Sequence, residues 1–227
     1  MTHTAMITAH SGSDGTPDNS LEFICYALES QADVLEVDIQ KDPASGELII
    51  THDEQLSGDY PTLREVFFLL ATHPTMRINC DLKHAGLELA VYELAEQLGV
   101  VDRLIYSGTV DVTVIEKYPE LRNIEVFLNL EEYVENLYYN YRDIPDFELT
   151  AAEKICAVCK RHNVHVVNVN FILVTRRFIR LLSEKGIGVS VWTVNDPEAI
   201  AYFLTRGVYN LTTRALQRAV DFRNNVL

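Results

Sequence analysis

The sequence predicts an α/β protein with one domain, residues 1–227, folded as a (β/α)8 or TIM barrel of parallel strands with its active site at their carboxyl ends. Three observations lead there. Short β-branched runs alternate eight times with helical patterns over 227 residues, the rhythm of a barrel of this size. No glycine-rich dinucleotide fingerprint follows the first strand, which weakens the rival open, doubly wound sheet. No linker or low-complexity segment interrupts the alternation, so one core is expected.

Strands are expected at 5–10 (AMITAH), 34–40 (VLEVDIQ), 76–83 (MRINCDLK), 103–108 (RLIYSG), 123–130 (NIEVFLNL), 164–170 (VHVVNVN), 187–195 (IGVSVWTVN) and 208–213 (VYNLTT). A ninth run, 47–52 (ELIITH), follows the turn-rich KDPASG and reads as an extension of the second strand. The first helix has Thr16 as expected N-cap and Pro17 at its first position. Further helices are expected over 61–73, 86–99, 112–118, 150–163, 175–186, 196–207 and 214–225. Gly99, Gly186 and Gly207 stand where C-terminal caps belong.

Composition narrows the function. The formal net charge is −14. That argues against a nucleic-acid or anionic-membrane surface, which needs clustered Lys and Arg, but not against a small anionic substrate met through a bound cation. Hydrophobic residues make up 48%, enough for a substantial core. No run approaches transmembrane length and the first residues lack a signal-peptide pattern, so no stable membrane insertion is expected and the cytoplasm is the default location. A homodimer is left open. Four cysteines are too few for a disulfide framework. Cys156, Cys159 and His162 share a helical face, but no second ligand pair follows, and two small hydrophobes facing the core is the better reading. The acidic segment 131–148, with Tyr133, Tyr138, Tyr139 and Tyr141, reads equally as a functional loop or as a surface helix with a packed tyrosine edge.

Buried parallel strands should be nearly continuous apolar runs. Here polar residues fall near the carboxyl ends: His10, Glu36 and Asp38, His52, Asp81 and Lys83, Ser107, Asn129, Asn168 and Asn170, Trp192 and Asn195. In a barrel those ends converge on one mouth. Glu36 and Asp38, two apart on one strand, share a face and lie roughly 7 Å apart. Burying two like charges together costs several kcal/mol unless a cation joins them. Glu36, Asp38 and Asp81 therefore suit one divalent ion, and hard oxygen ligands without cysteine favour Mg2+ or Ca2+. His10 and His52 beside such a cation are the natural proton carriers.

These residues resemble the glycerophosphodiester phosphodiesterase family. The family's His-Arg-Gly and Pro-Glu-Asn-Thr openings are matched here by AHSG and PDNS, its Glu-x-Asp metal pair by LEVDIQ, and its His-Asp pair by ITHDEQL. PTLREV, NCDLK and VWTVND are also similar. The resemblance implies a metal-dependent hydrolase of small phosphodiesters that releases an alcohol and glycerol 3-phosphate. His10 and His52 would be the acid–base pair and Glu36, Asp38 and Asp81 the metal ligands. Lys83 would contact the phosphate, with Ser11, Trp192 and Asn170 beside the substrate. Ser11 stands where the family has Arg, so a bidentate phosphate donor is missing there. The family's small inserted subdomain after the His-Asp pair is absent, and the last strand ends in LTTRA rather than in Thr-Asp and then Pro. A lipid lyase like the sphingomyelinase D group, or a barrel that only binds phosphorylated ligands, are the alternatives. Ser11 favours the second.

Overall fold

The computed structural model describes residues 4–53, 56, 58–133 and 146–226. Nine strands appear in chain order: β1 (Met6–Ala9), β2 (Val34–Lys41), β3 (Leu48–Ile50), β4 (Arg77–Leu82), β5 (Leu104–Gly108), β6 (Glu125–Asn129), β7 (Val166–Asn170), β8 (Gly188–Trp192) and β9 (Asn210–Thr213). Eight of them pair in parallel around a closed ring, because β1 bonds to both β2 and β9. β3 is the exception; it runs antiparallel to the end of β2 and continues it as a short arm. Each expected strand is present; β2 runs one residue longer than expected, and the others are trimmed by one to three residues at one or both ends.

Among the described residues eight α-helices cover the outside: α1 (Leu21–Glu29), α2 (Leu63–Ala71), α3 (Glu88–Leu98), α4 (Val112–Lys117), α5 (Phe147–His162), α6 (Arg176–Ser183), α7 (Pro197–Leu204) and α8 (Leu216–Val226). Outward residues of the strands, such as Ile7, Val37, Cys80, Val167 and Val191, join the inner faces of these helices in one large buried cluster. Inside the ring the bottom is plugged by Val34, Ile105, Phe127 and Val166. Above that plug lies a polar layer in which Thr8 donates to Asn210 (2.7 Å) and Asn210 donates to Ser190 (3.0 Å). The barrel interior is thus filled, and only its carboxyl end is left for ligand.

One local expectation changes. α1 begins four residues later than the Thr16 cap implied. Its N-cap is Ser20, whose hydroxyl accepts from Phe23 N at 3.0 Å. Thr16 instead donates its hydroxyl to Ser13 O at 2.8 Å, and Asn19 adopts φ 48°, a left-handed conformation that breaks any helix from Pro17 onward. α5 turns Ala151, Ala152, Ile155, Cys156 and Cys159 into the core, so the CxxC is a packing pair; His162 pairs with Glu116 at 2.8 Å. Of the tyrosine-rich stretch, Tyr138, Tyr139 and Tyr141 lie outside the described residues. Only residues 51–62 separate β3 from α2, so the chain carries no subdomain at that point. Among the described residues no helix is long and apolar enough to cross a membrane.

Candidate active site

The carboxyl ends of the strands open on a cavity of about 370 Å3 lined by His10, Asp18, Glu36, Asp38, His52, Asn79, Asp81, Lys83, Ser107, Asn129, Asn168, Trp192, Thr193, Thr212 and Arg214. Register explains the convergence. Asp38 on β2 is the Cα partner of Asp81 on β4, and Asp81 is the partner of Ser107 on β5. One row lower, Glu36 partners Asn79. Side chains two apart on a strand share a face, so both rows point into the ring.

Each carboxylate is held by a neighbour. Glu36 Oε2 accepts from Ser11 N at 3.1 Å. Asp38 Oδ2 accepts from Asn19 Nδ2 at 2.7 Å, and Asp81 Oδ1 accepts from the Ser107 hydroxyl at 2.6 Å. Lys83 Nζ stands 2.5 Å from Asp38 Oδ1 and 2.5 Å from Asp81 Oδ2. Burial works against its charge, but Asp81 and Asp38 outweigh that and hold its pKa above the ordinary lysine value. Glu36 has no such partner. Burial, with Asp38 and Asp81 adding to it against the opposing pull of His10, pushes its pKa up to about 7. The three acids offer oxygens that all lie within 4.8 Å of one another. Lys83 balances two of them and leaves the third over, so a divalent cation fits both the donor chemistry and the charge.

The two histidines reach the cavity by different routes. His10 follows β1, and its Nδ1 lies 3.0 Å from Ser11 O, 3.2 Å from Arg214 Nε and 3.9 Å from Glu36 Oε2. His52 follows the β3 arm. Gln40 on β2 steadies that arm by donating Nε2 to Thr51 O (3.2 Å) and Asp53 O (2.7 Å). His10, His52, Glu36, Asp38, Asp81, Lys83 and Trp192 therefore meet at one cavity, as the sequence suggests.

Ser11 and Asn170 do not join them. Ser11 is 1% exposed, and its hydroxyl accepts from Asn19 N at 2.6 Å. It is a brace behind Glu36, out of a ligand's reach. Asn170 ends β7 in a turn and caps the next one, its Oδ1 accepting from Ile172 N at 3.1 Å. Sequence reasoning missed Asp18, Asn79, Thr193, Thr212 and Arg214. Stepping back by two from Asp81 would have found Asn79 and stepping forward by two from Asn210 would have found Thr212. On three residues of the cavity wall, the buried atoms Asn79 Oδ1, Asn168 Oδ1 and Trp192 Nε1 have no hydrogen-bond partner among the described residues.

The sequence profile described as the "Glycerophosphoryl diester phosphodiesterase family" matches residues 57–215. The chain is 24% identical over 258 residues to a glycerophosphodiester phosphodiesterase from Bacillus altitudinis, an alignment covering 97% of this chain and 98% of that one. Its fold is similar to that of a glycerophosphodiester phosphodiesterase from Parabacteroides distasonis (TM-score 0.75, 16% identity, 97% of each chain covered). It is similar too to an Oleispira antarctica phosphodiesterase solved with the product sn-glycerol-3-phosphate (TM-score 0.70, 16% identity, 96% of this chain and 97% of that one covered). With the barrel and the cavity it carries, these matches establish that the chain is a phosphodiesterase enzyme and belongs to the glycerophosphoryl diester phosphodiesterase family.

Proposed function

We propose that this enzyme hydrolyses glycerophosphodiesters to an alcohol and glycerol 3-phosphate, using His10 and His52 as an acid–base pair and a divalent cation, Mg2+ or Ca2+, held by Glu36, Asp38 and Asp81. The observation that carries the reading is the meeting of two imidazoles with the carboxylates of Glu36, Asp38 and Asp81 around one cavity, whose other lining is Asp18, Trp192, neutral polar groups and two cations. When bound, the cation supplies positive charge against the phosphoryl oxygens.

The chain's own residues do the rest. The His10 Nδ1 edge faces Ser11 O and Arg214 Nε, so its Nε2 is the nitrogen left for the substrate. One imidazole removes a proton from the attacking hydroxyl or water, and the other gives one to the leaving alkoxide. Lys83 has three N–H donors. Two go to Asp38 and Asp81, and the third is available to a phosphoryl oxygen. Trp192, with Asn168 and Asn79 across the cavity, offers a flat apolar wall and polar atoms for the glycerol moiety.

The test is hydrolysis of glycerophosphocholine by wild type, His10→Ala and His52→Ala with Mg2+ or Ca2+ and after chelation. Loss of two or more orders of magnitude in each variant, and on chelation, supports the assignment. Near wild-type turnover in either variant removes that histidine from the mechanism. The binding-only alternative leaned on the serine at position 11, and a guanidinium nevertheless lines the cavity, carried by Arg214.

A further inference from the structure

We infer that Arg214 is the phosphate-binding guanidinium of this site, delivered from the end of β9 and aimed by Asp18. The inference rests on the phosphodiesterase reading above and gives Arg214 a substrate contact that reading does not assign. The cavity wall holds four carboxylates (Asp18, Glu36, Asp38 and Asp81) and two side chains that are always cationic near neutrality, Lys83 and Arg214. Lys83 is drawn to 2.5 Å from two of those acids at once. Lys83 keeps one donor after those two acids, and Arg214 keeps more. Its Nη2 donates to Asp18 Oδ2 at 3.0 Å and its Nε lies 3.2 Å from His10 Nδ1. A guanidinium has five N–H groups. The two on Nη1 and the second on Nη2 have no other partner among the described residues, and the side chain is 42% exposed at the mouth. That leaves three donors on the two terminal nitrogens, enough to meet two oxygens of a phosphate.

The support behind Arg214 is built. Its backbone N–H donates to Asn195 Oδ1 at 2.8 Å, and its carbonyl accepts from Asp14 N at 2.7 Å. Thr213 O, one residue before it, accepts from His10 N at 2.9 Å. The segment that carries His10 and the segment that carries Arg214 are therefore stitched together, and a phosphate on those donors lies beside the imidazole. Gly12 keeps the space for Asp18 open: a Cβ there would fall 1.8 Å from Asp18 Oδ1. Ser11, sealed behind Glu36, has no part in anion contact, so the cation enters from the opposite end of the chain.

The experiment titrates inorganic phosphate and glycerol 3-phosphate calorimetrically into wild type, Arg214→Gln and Arg214→Lys. Thermal unfolding of each variant and KM and kcat for glycerophosphocholine are measured alongside. Arg214→Gln should weaken both ligands about tenfold or more and raise KM, with unfolding temperature unchanged. Lysine should fall between, because a point charge cannot fork. Equal affinity in all three proteins overturns the inference while leaving the hydrolase reading intact. Arg214-dependent phosphate binding in a wild type that turns over no glycerophosphodiester overturns the hydrolase reading and keeps this one. If the glutamine variant does not fold, the lysine variant decides: a severalfold loss supports the inference and undiminished affinity sinks it.

Discussion

Asn19 and Asp38 clasp each other: Asn19 Nδ2 donates to Asp38 Oδ2 at 2.7 Å, and Asp38 N donates back to Asn19 Oδ1 at 3.1 Å. The clasp orients one carboxylate of the acidic trio and explains why Asn19 takes φ 48° instead of opening a helix. Asn19→Ala should therefore lower cation affinity, read by calorimetry with Mn2+, by about 10–100-fold, as loss of a partner behind a ligand does. Unchanged affinity would make the clasp purely architectural.

Lys83→Met removes the ammonium shared by Asp38 and Asp81. Both acids are then left in a crowded, largely buried site with no counter-charge. In chelated protein this should cost about 3–5 kcal/mol of stability by denaturant titration. Saturating Mg2+ or Ca2+ should return part of it, because a ligand that binds only the folded state stabilises it.

Glu36 sets a pH dependence in chelated protein. Its folded pKa is pushed up to about 7 by burial and by Asp38 and Asp81, from an ordinary value of 4.5. Between those values the folded state binds more protons than the unfolded one, so stability falls as pH rises through this window. The slope integrates to roughly 3 kcal/mol. Glu36→Gln should flatten it, which denaturant midpoints at pH 4.5, 6 and 7.5 would check.

Gly108 ends β5 with φ 78°, and a Cβ there would lie 2.4 Å from Leu82 O and 3.0 Å from Asp81 Oδ1. Gly108→Ala should destabilise by about 2–4 kcal/mol, since both the conformation and the space forbid it. Activity should fall further than stability accounts for, because the methyl pushes on Asp81. Thermal unfolding and turnover measured together separate the two effects.

Much of this was legible in the sequence, for identifiable reasons. The strands could be placed because barrel staves are short and β-branched and because turn residues bound them. Glu36, Asp38, Asp81 and Lys83 could be assigned to one face because strand periodicity is two. The rule fails where strand geometry ends. Asn170 closes β7 in a turn, so its side chain does not follow the alternation into the cavity; Ser11 was placed there by the resemblance alone, and the alternation that turns Thr8 and His10 inward turns it away. Arg214 was invisible for a different reason. Its place depends on the pairing of β1 with β9, a contact across 204 residues with His10, and a single arginine after a threonine pair carries no local signal of that.

The seam between β1 and β9 has a temporal consequence. The first stave to leave the ribosome leads directly into His10, and the last leads into the Arg214 guanidinium beside it. Until that last stave docks, the ring has a gap with two bare edges, and half of the reactive centre lacks its neighbour. A fragment stopping short of residue 210 is therefore expected to be both inert and prone to sticking to its own kind. Assembly and competence arrive in the same step.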